Sequence, residues 1–465
     1  MNLDKYHIVY FIGIGGIGMS ALARWFNKHG FKVLGYDKTA TPLTDALQAE
    51  GIPVAFDDDE ALIPEEVKAN KENTLVIYTP AIPKDHNGWN YLQKAGYDIF
   101  KRSQVLGMIT EKLYTVAVAG THGKTTTASM IAHILKHAGK DITAFLGGLS
   151  TNYNTNLIIN EIMDADTIAV VEADEFDRSF LTLSPDIAVI TSADADHLDI
   201  YGDKGELERS FRDFIRKVKV GGELFVKETI AERLVREIDI TYQTYAIERG
   251  QSYAINIRVE DGCFVFDYAQ RDAKIEAIKM LVPGFHNVEN AVAAIAVALK
   301  LGLTEEQIRA GIESYEGVKR RFEYIVRNNK ITFIDDYAHH PMEIFSFLKS
   351  VKKLYPNRKV TAVFQPHLYT RTRDFVHGFA ASLSLADELF LLDIYPAREL
   401  PIEGVTSEII FDGVLNQQKV LCSKETILDK LKETDIDILV TIGAGDIDQL
   451  VKPIKALLDD KYHVE

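Results

Sequence analysis

The residues best suited to chemistry form one loop, Gly120-Thr121-His122-Gly123-Lys124-Thr125-Thr126, directly behind the apolar segment 115–119. A strand that feeds a tight glycine turn and then a helix leaves free backbone N–H groups at the helix start. With the helix dipole, those groups seat a phosphate. Lys124 adds a positive charge for the outer phosphates, and Thr125 a hydroxyl of the kind that ligates Mg²⁺. Val118 stands where the first glycine of a full G-x-x-x-x-G-K-[ST] loop would be, so this is a shortened P-loop whose expected ligand is ATP. Two acid clusters follow further apolar runs. Glu172-Ala173-Asp174-Glu175 comes after 167–171, and Asp194-Ala195-Asp196-His197-Leu198-Asp199 after 187–191. Ligands of open α/β sheets bind outside the carboxyl ends of the strands. Glu172 is thus placed like the acid that completes Mg²⁺ coordination beside a P-loop. His197 is a candidate ligand of a second cation, or a general acid/base.

The elements that must position these groups alternate between two hydrophobic periods. Residues 7–12, 31–36, 74–78 and 98–101 read as strands, with a helix over 19–29. Between the first strand and that helix lies Gly13-Ile14-Gly15-Gly16-Ile17-Gly18, and Asp37 follows about 20 residues on, where an acid meets a ribose hydroxyl in dinucleotide folds. Taken alone, this cluster indicates a nucleotide or pyrophosphate more firmly than it indicates NAD. The acidic run 57–60 reads as a solvated loop or helix start. A helix over 103–112 leads into the P-loop strand, and a helix over 128–137 leaves it. Residues 254–259 and 263–268 alternate around Asp261-Gly262, a hairpin signal. Pro283-Gly284-Phe285-His286-Asn287 precedes a helix over 288–299, with Asn287 either a cap or a contact to the nucleotide base. Arg320-Arg321 reads as a solvated face, or as a pair able to reach a γ-phosphate. Strands at 331–334, 360–364, 388–392 and 438–442 each end in a polar cluster, including Asp336-Tyr337-Ala338-His339-His340-Pro341 and Gln365-Pro366-His367-Leu368-Tyr369-Thr370-Arg371. His339-His340 lacks further Cys or His at ligand spacing, which disfavours zinc.

Strands alternating with helices predict an α/β chain of three domains, each on a mostly parallel sheet. The expected domains are 1–106 (Rossmann-like), 107–318 (ATP-binding, with a small antiparallel flap) and 319–465 (Rossmann-like). A length of 465 residues suits that count. A net charge of −16 argues against a nucleic-acid partner. Two cysteines, Cys263 and Cys422, point to a reducing compartment and hence the cytoplasm. No membrane insertion is expected.

Together these loops resemble the Mur ligase family over essentially the whole chain. Residues 120–126 resemble its ATP loop, including the missing first glycine. Residues 172–175, 196–199, 283–290 and 320–322 are similar to its later signatures. The resemblance implies an ATP-dependent carboxylate–amine ligase of peptidoglycan precursor synthesis, hence of cell-wall biogenesis, cell shape and cell division. Residues 13–20, 336–341 and 364–372 most resemble the members that join L-alanine to UDP-N-acetylmuramate. A recycling ligase that attaches a peptide is the lesser reading. An NAD oxidoreductase would not need the second nucleotide loop.

By the same resemblance, Gly13, Gly15, Gly16, Ile17, Gly18 and Asp37 would hold the UDP-sugar, with no NAD involved. Gly120, Thr121, His122, Gly123, Lys124, Thr125, Thr126, His286 and Asn287 would hold ATP. Thr125, Glu172 and His197 would hold Mg²⁺, two ions in all, with Mn²⁺ an acceptable substitute. Lys124, His197 and Arg321 would be catalytic, and Tyr337, His339, His367 and Arg371 would surround the amino acid. Two departures from the family pattern stand out: Leu368 replaces a common arginine, and Phe176 a small polar residue. The assembly expected is a monomer or homodimer.

Overall fold

A computed structural model describes residues 3–160, 166–194, 204–397, 399–416 and 418–462. The chain forms two compact units. One comprises Met1–Ala254, Tyr268–Ile275 and Asn290–Ile312, the other Ile255–Asp267, Glu276–Glu289 and Glu313–Glu465.

The first unit carries two sheets. Strands β1 (Ile8–Ile12), β2 (Lys32–Tyr36), β3 (Val54–Ala55), β4 (Thr74–Tyr78) and β5 (Asp98–Lys101) pair in parallel in the order β3-β2-β1-β4-β5. β1 is apolar throughout and wholly buried, as a parallel strand covered on both faces must be. The chain order reverses around β1, and the first glycine loop leaves its carboxyl end. β6 (Tyr114–Ala119), β7 (Ile142–Ser150), β8 (Thr155–Ile159), β9 (Ile168–Ala173), β10 (Ile187–Ile190), β11 (Glu223–Lys227) and β12 (Tyr242–Ile247) run in the order β12-β11-β10-β6-β9-β7-β8. The P-loop therefore emerges from a strand flanked by β9 and β10, which bear the two acid clusters. Only β8 runs antiparallel in this set.

These two sheets share a core. Val9, Phe11 and Phe26 belong to the same buried cluster as Phe145, Leu157 and Phe180. Each fully buried phenylalanine stabilises by about 1.5–3 kcal/mol. A polar strut crosses the same boundary: Asn156 donates to Ser20 Oγ at 2.9 Å, and Arg24 pairs with Glu50 at 2.7 Å while donating to Asn156. The helix that follows the first glycine loop is thereby bound to the central sheet.

Strand β13 (Ser252–Glu260) pairs with β12 through Ser252–Ala254 positions, and the antiparallel ribbon continues in β14 (Cys263–Gln270) and β15 (Ala273–Met280). Asp261 and Gly262 have φ of 50° and 69°, the paired left-handed residues of a two-residue hairpin. In the second unit, β16 (Glu323–Arg327), β17 (Thr332–Asp336), β18 (Val360–Phe364), β19 (Glu388–Leu391), β20 (Gln418–Leu421) and β21 (Ile438–Ile442) take the order β16-β17-β21-β18-β19-β20, with β16 alone antiparallel.

Three helices begin earlier than their apolar periodicity indicates, at Ile17, Lys124 and Phe285. In each, the first turn carries glycine, polar or basic residues of a loop. Those residues break the periodic pattern while keeping helical geometry.

Candidate functional site

Gly120 and Gly123 both have positive φ, 138° and 82°. A Cβ on Gly120 would lie 2.1 Å from Thr191 Oγ1, so only glycine lets the loop press onto the end of β10. Ser192 anchors it further: its Oγ accepts from the His122 N–H at 2.7 Å and lies 3.0 Å from Thr121 Oγ1. The Asp194 N–H donates to Thr121 Oγ1 at 3.1 Å. The helix Lys124–His137 then starts from Gly123.

Lys124 Nζ donates to Gly120 O at 2.7 Å and to both oxygens of fully buried Glu175, at 3.0 and 2.8 Å. Burial alone would lower the Lys124 ammonium's pKa, but the carboxylates of Glu175, Asp174 and Glu172 outweigh it and hold the pKa above the usual lysine value. Beside it, the Thr125 hydroxyl donates to Glu172 Oε2 at 2.8 Å, and the Gly147 N–H donates to the same oxygen at 2.9 Å. A hydroxyl and a carboxylate side by side are the hard oxygen donors that Mg²⁺ takes. Among the described residues no group of three or more His, Cys, Asp and Glu side chains is arranged to hold a metal. His197 lies outside the described residues.

The first glycine loop faces the same space. Gly16, Ile17 and Gly18 line a cavity of about 360 Å³ together with Arg102, Lys124 and Glu172. Gly13, at φ 86°, sits against Thr79, and Gly18 against Arg102. Asp37 is engaged with its own loop: Oδ2 accepts from the Gly15 N–H at 2.7 Å and Oδ1 from the Thr39 N–H at 3.2 Å.

The second unit gathers the remaining candidates. Asp336 ends β17 and is buried, and burial pushes its carboxyl up to about 7. Both its oxygens accept backbone N–H groups, from Phe322 at 2.7 Å and Ala338 at 2.8 Å. Asp336 thus ties the Arg320–Phe322 turn to Tyr337-Ala338-His339. Arg320 is structural: it pairs with Asp335 at 3.2 Å and donates to Gly443 O at 2.6 Å. The Arg321 guanidinium lies over the Tyr337 ring, 4.9 Å from its centroid. This corrects the solvated-face reading of the arginine pair. His339 Nδ1 donates to Tyr337 O at 3.0 Å, and burial lowers this imidazole to about 4. It is therefore neutral near pH 7, with Nε2 left as an acceptor. The His339 and His367 rings lie 6.1 Å apart, and His367 stacks on Tyr395. Arg371 is close enough to His339 to lower its pKa further, whereas Arg373 pairs with Asp374 in solvent. His286 is also lowered to about 4 by burial, with Glu343 and Arg321 nearby. Buried Asn287 donates from Nδ2 to Pro283 O at 2.8 Å, a bond to the carbonyl ahead of the helix and not an N-cap acceptor.

The P-loop, Glu172 and first-loop candidates thus converge in one unit, and Arg321, Tyr337, His339, His367, Arg371 and His286 in the other. Gly147, Glu175, Ser192 and Arg102 also adjoin these groups, and sequence reasoning assigned none of them a role. Of these, Glu175 alone carried a signal, its place in the acid cluster behind β9.

Residues 8–114 match the Mur ligase family catalytic domain, 118–298 the Mur ligase middle domain, and 320–445 the Mur ligase glutamate ligase domain. The chain is 48% identical to the UDP-N-acetylmuramate–L-alanine ligase of Cytophaga hutchinsonii, over 99% of both chains. It is 50% identical to the enzyme of that name from Flavobacterium psychrophilum, over 99% of this chain and all of the other. A solved UDP-N-acetylmuramate–alanine ligase from Thermotoga maritima superposes with a TM-score of 0.78 at 28% identity, over 98% of this chain and 99% of that one. With three successive domains matched and near-full-length relatives at this identity, the chain belongs to the Mur ligase family.

Proposed function

We propose that this chain is an ATP-dependent ligase that joins L-alanine to the lactyl carboxylate of UDP-N-acetylmuramate, releasing ADP and phosphate, in peptidoglycan precursor synthesis. One observation above all supports it: Lys124 and Glu172, the latter hydrogen-bonded by Thr125, face the first glycine loop across a single cavity of about 360 Å³. A nucleotide sugar on that loop would hold its carboxylate toward the γ-phosphate of ATP on the P-loop. The full-length likeness to L-alanine ligases supports the choice of amino acid over the peptide of a recycling enzyme.

A carboxylate resists attack by an amine because its oxygen leaves poorly. In this reading the carboxylate oxygen attacks the γ-phosphorus and ADP leaves, giving an acyl phosphate. The amine then attacks the acyl carbon, inorganic phosphate departs, and the amine gives up a proton. Phosphoryl transfer needs positioning and charge neutralisation more than a nucleophilic side chain. Lys124 would exchange Glu175 for the β/γ-phosphates, and Arg321 would lie near the transferred group. Gly120–Thr126 would seat the phosphates, and His286 and Asn287 the nucleotide. Thr125, Glu172 and His197 would hold Mg²⁺, which when bound with ATP neutralises phosphate charge. Gly13, Gly15, Gly16, Ile17, Gly18 and Asp37 would bind the UDP-sugar. Tyr337, His339, His367 and Arg371 would bind alanine, Arg371 at its carboxylate and neutral His339 Nε2 as acceptor for its ammonium.

We take residues 1–106, 107–318 and 319–465 as the sugar, ATP and amino-acid domains. Nucleotide substrates and two free cysteines favour action in the cytoplasm. The test is phosphate release from Mg-ATP. It should require both UDP-N-acetylmuramate and an amino acid, and be fastest with L-alanine. Equal turnover with a tripeptide would favour the recycling reading, and phosphate release without any amine would sink the ligase reading.

A further inference from the structure

Outside the residues given a role above, the arrangement at Arg102 points to a ligand. Arg102 begins the helix Arg102–Thr110, directly after β5. Its side chain lies against the first glycine loop: a Cβ on Gly18 would meet Nη1 at 2.8 Å and Cζ at 3.2 Å. It also lines the cavity shared with Lys124, Glu172 and Asp174, and is the one guanidinium among the lining residues. The two cations of this cavity are held differently. Lys124 is gripped by Glu175 at 2.8 and 3.0 Å. Arg102 has Asp174 at 3.7 Å, beyond hydrogen-bond length, and its side chain keeps 22% exposure. A planar, permanently charged fork without a tight partner among the described residues, beside a glycine loop built for close approach, suits a bidentate oxyanion.

We propose that Arg102 binds an anionic group of the nucleotide-sugar substrate, its diphosphate or its carboxylate, and that Asp174 is the placeholder the anion displaces. The inference rests on the functional reading above and assigns a residue to the first substrate. Gly18 is part of the arrangement, because any side chain there would fill the space that the guanidinium occupies. The remaining carboxylates of the cavity, Glu172 and Asp174, would repel a substrate anion. Arg102 supplies the charge that lets it enter while Lys124 is committed to ATP.

The test is calorimetric binding to the full chain without ATP or Mg²⁺, using UDP-N-acetylmuramate and UDP-N-acetylglucosamine, which shares the diphosphate but lacks the lactyl carboxylate. Arg102→Gln should weaken UDP-N-acetylmuramate by roughly tenfold or more, the range for losing a charge-assisted pair, and leave ATP affinity within about twofold. Parallel weakening of UDP-N-acetylglucosamine assigns the contact to the diphosphate. An unchanged affinity for that sugar assigns it to the carboxylate. Unchanged binding of both sugars overturns the proposal. Asp174→Asn, which removes the placeholder, should hold or tighten sugar binding, and a tenfold loss would also overturn it. If wild-type protein binds neither sugar, the functional reading falls first.

Discussion

Gly147→Ala tests the cation-side geometry without touching a polar group. Gly147 has no left-handed φ, so alanine meets no backbone strain there. Its Cβ would nevertheless stand 2.2 Å from Glu172 Oε2 and 2.8 Å from Oε1, where ordinary contact begins at 3.4 Å. The carboxylate must withdraw by roughly 1.2 Å. It would then lose the bonds from Thr125 Oγ1 and Gly147 N, each in the range of about 1.5–3 kcal/mol for a charged acceptor. A displacement of about 1 Å at a reacting centre costs on the order of 10²-fold. If Glu172 and Thr125 hold Mg²⁺ as proposed, kcat/KM for Mg-ATP should fall about 100-fold, and half-saturating Mg²⁺ should rise. The assay is steady-state phosphate release across a Mg²⁺ titration, with the thermal midpoint measured in parallel to confirm folding. A variant with wild-type turnover and wild-type Mg²⁺ dependence would refute the assignment of Glu172.

Lys124→Ala should lower kcat by about 10³-fold or more while UDP-N-acetylmuramate still binds; undiminished turnover removes the P-loop lysine from the mechanism. Arg371→Ala should raise the KM for L-alanine by roughly tenfold or more, with a smaller change in kcat, and an unchanged KM reassigns the carboxylate contact. The imidazoles of His286 and His339, lowered to about 4, should stay neutral in NMR titration until well below pH 6. Because the unfolded imidazoles take up protons near 6.5, their contribution to stability is whole above that pH and is lost as pH falls toward 4. That loss is up to about 3 kcal/mol apiece. Titration of either ring near 6.5 would show that it is solvated.

The strands β1, β4, β18 and β21 were legible because parallel strands buried on both faces are short runs of apolar residues with at most one threonine. β7 was not. It carries Gly147-Gly148 near its end and pairs antiparallel with an asparagine-bearing edge strand, which together erase the apolar run. The same strand hides a site residue. Phe145 pairs with Val171 in parallel register, so two residues further along β7 the chain passes Glu172. Nothing in the local sequence around Gly147 announces that neighbour. Lys124, Thr125 and Glu172 were legible for the opposite reason: loop chemistry and strand ends are local properties, and the sheet order only had to set β6 beside β9. Arg102 lies between these cases. Its position after β5 is readable, but its seat on Gly18 depends on the order of the first sheet, which brings the loops after β1 and β5 to one edge.

Leu368, which stands where the family commonly has arginine, is held through its backbone. Its φ is 72°, a left-handed value that costs a leucine about 1–3 kcal/mol. Such a conformation persists where the surroundings fix it. The Leu368 N–H donates to Tyr395 O at 2.9 Å, and its carbonyl accepts from the Thr372 N–H at 3.1 Å and the Thr372 hydroxyl at 2.8 Å. Three bonds therefore set the backbone where the chain turns from β18 into the helix Tyr369–Asp374, whatever side chain stands there. Replacing a common arginine by leucine removes a cation while leaving that turn, and with it the placement of Arg371 near His339, in force. The turn also explains why Arg373, two residues further on, faces Asp374 and solvent instead. Of the two arginines in this segment, Arg371 is the one that the local hydrogen bonding keeps beside the other amino-acid candidates.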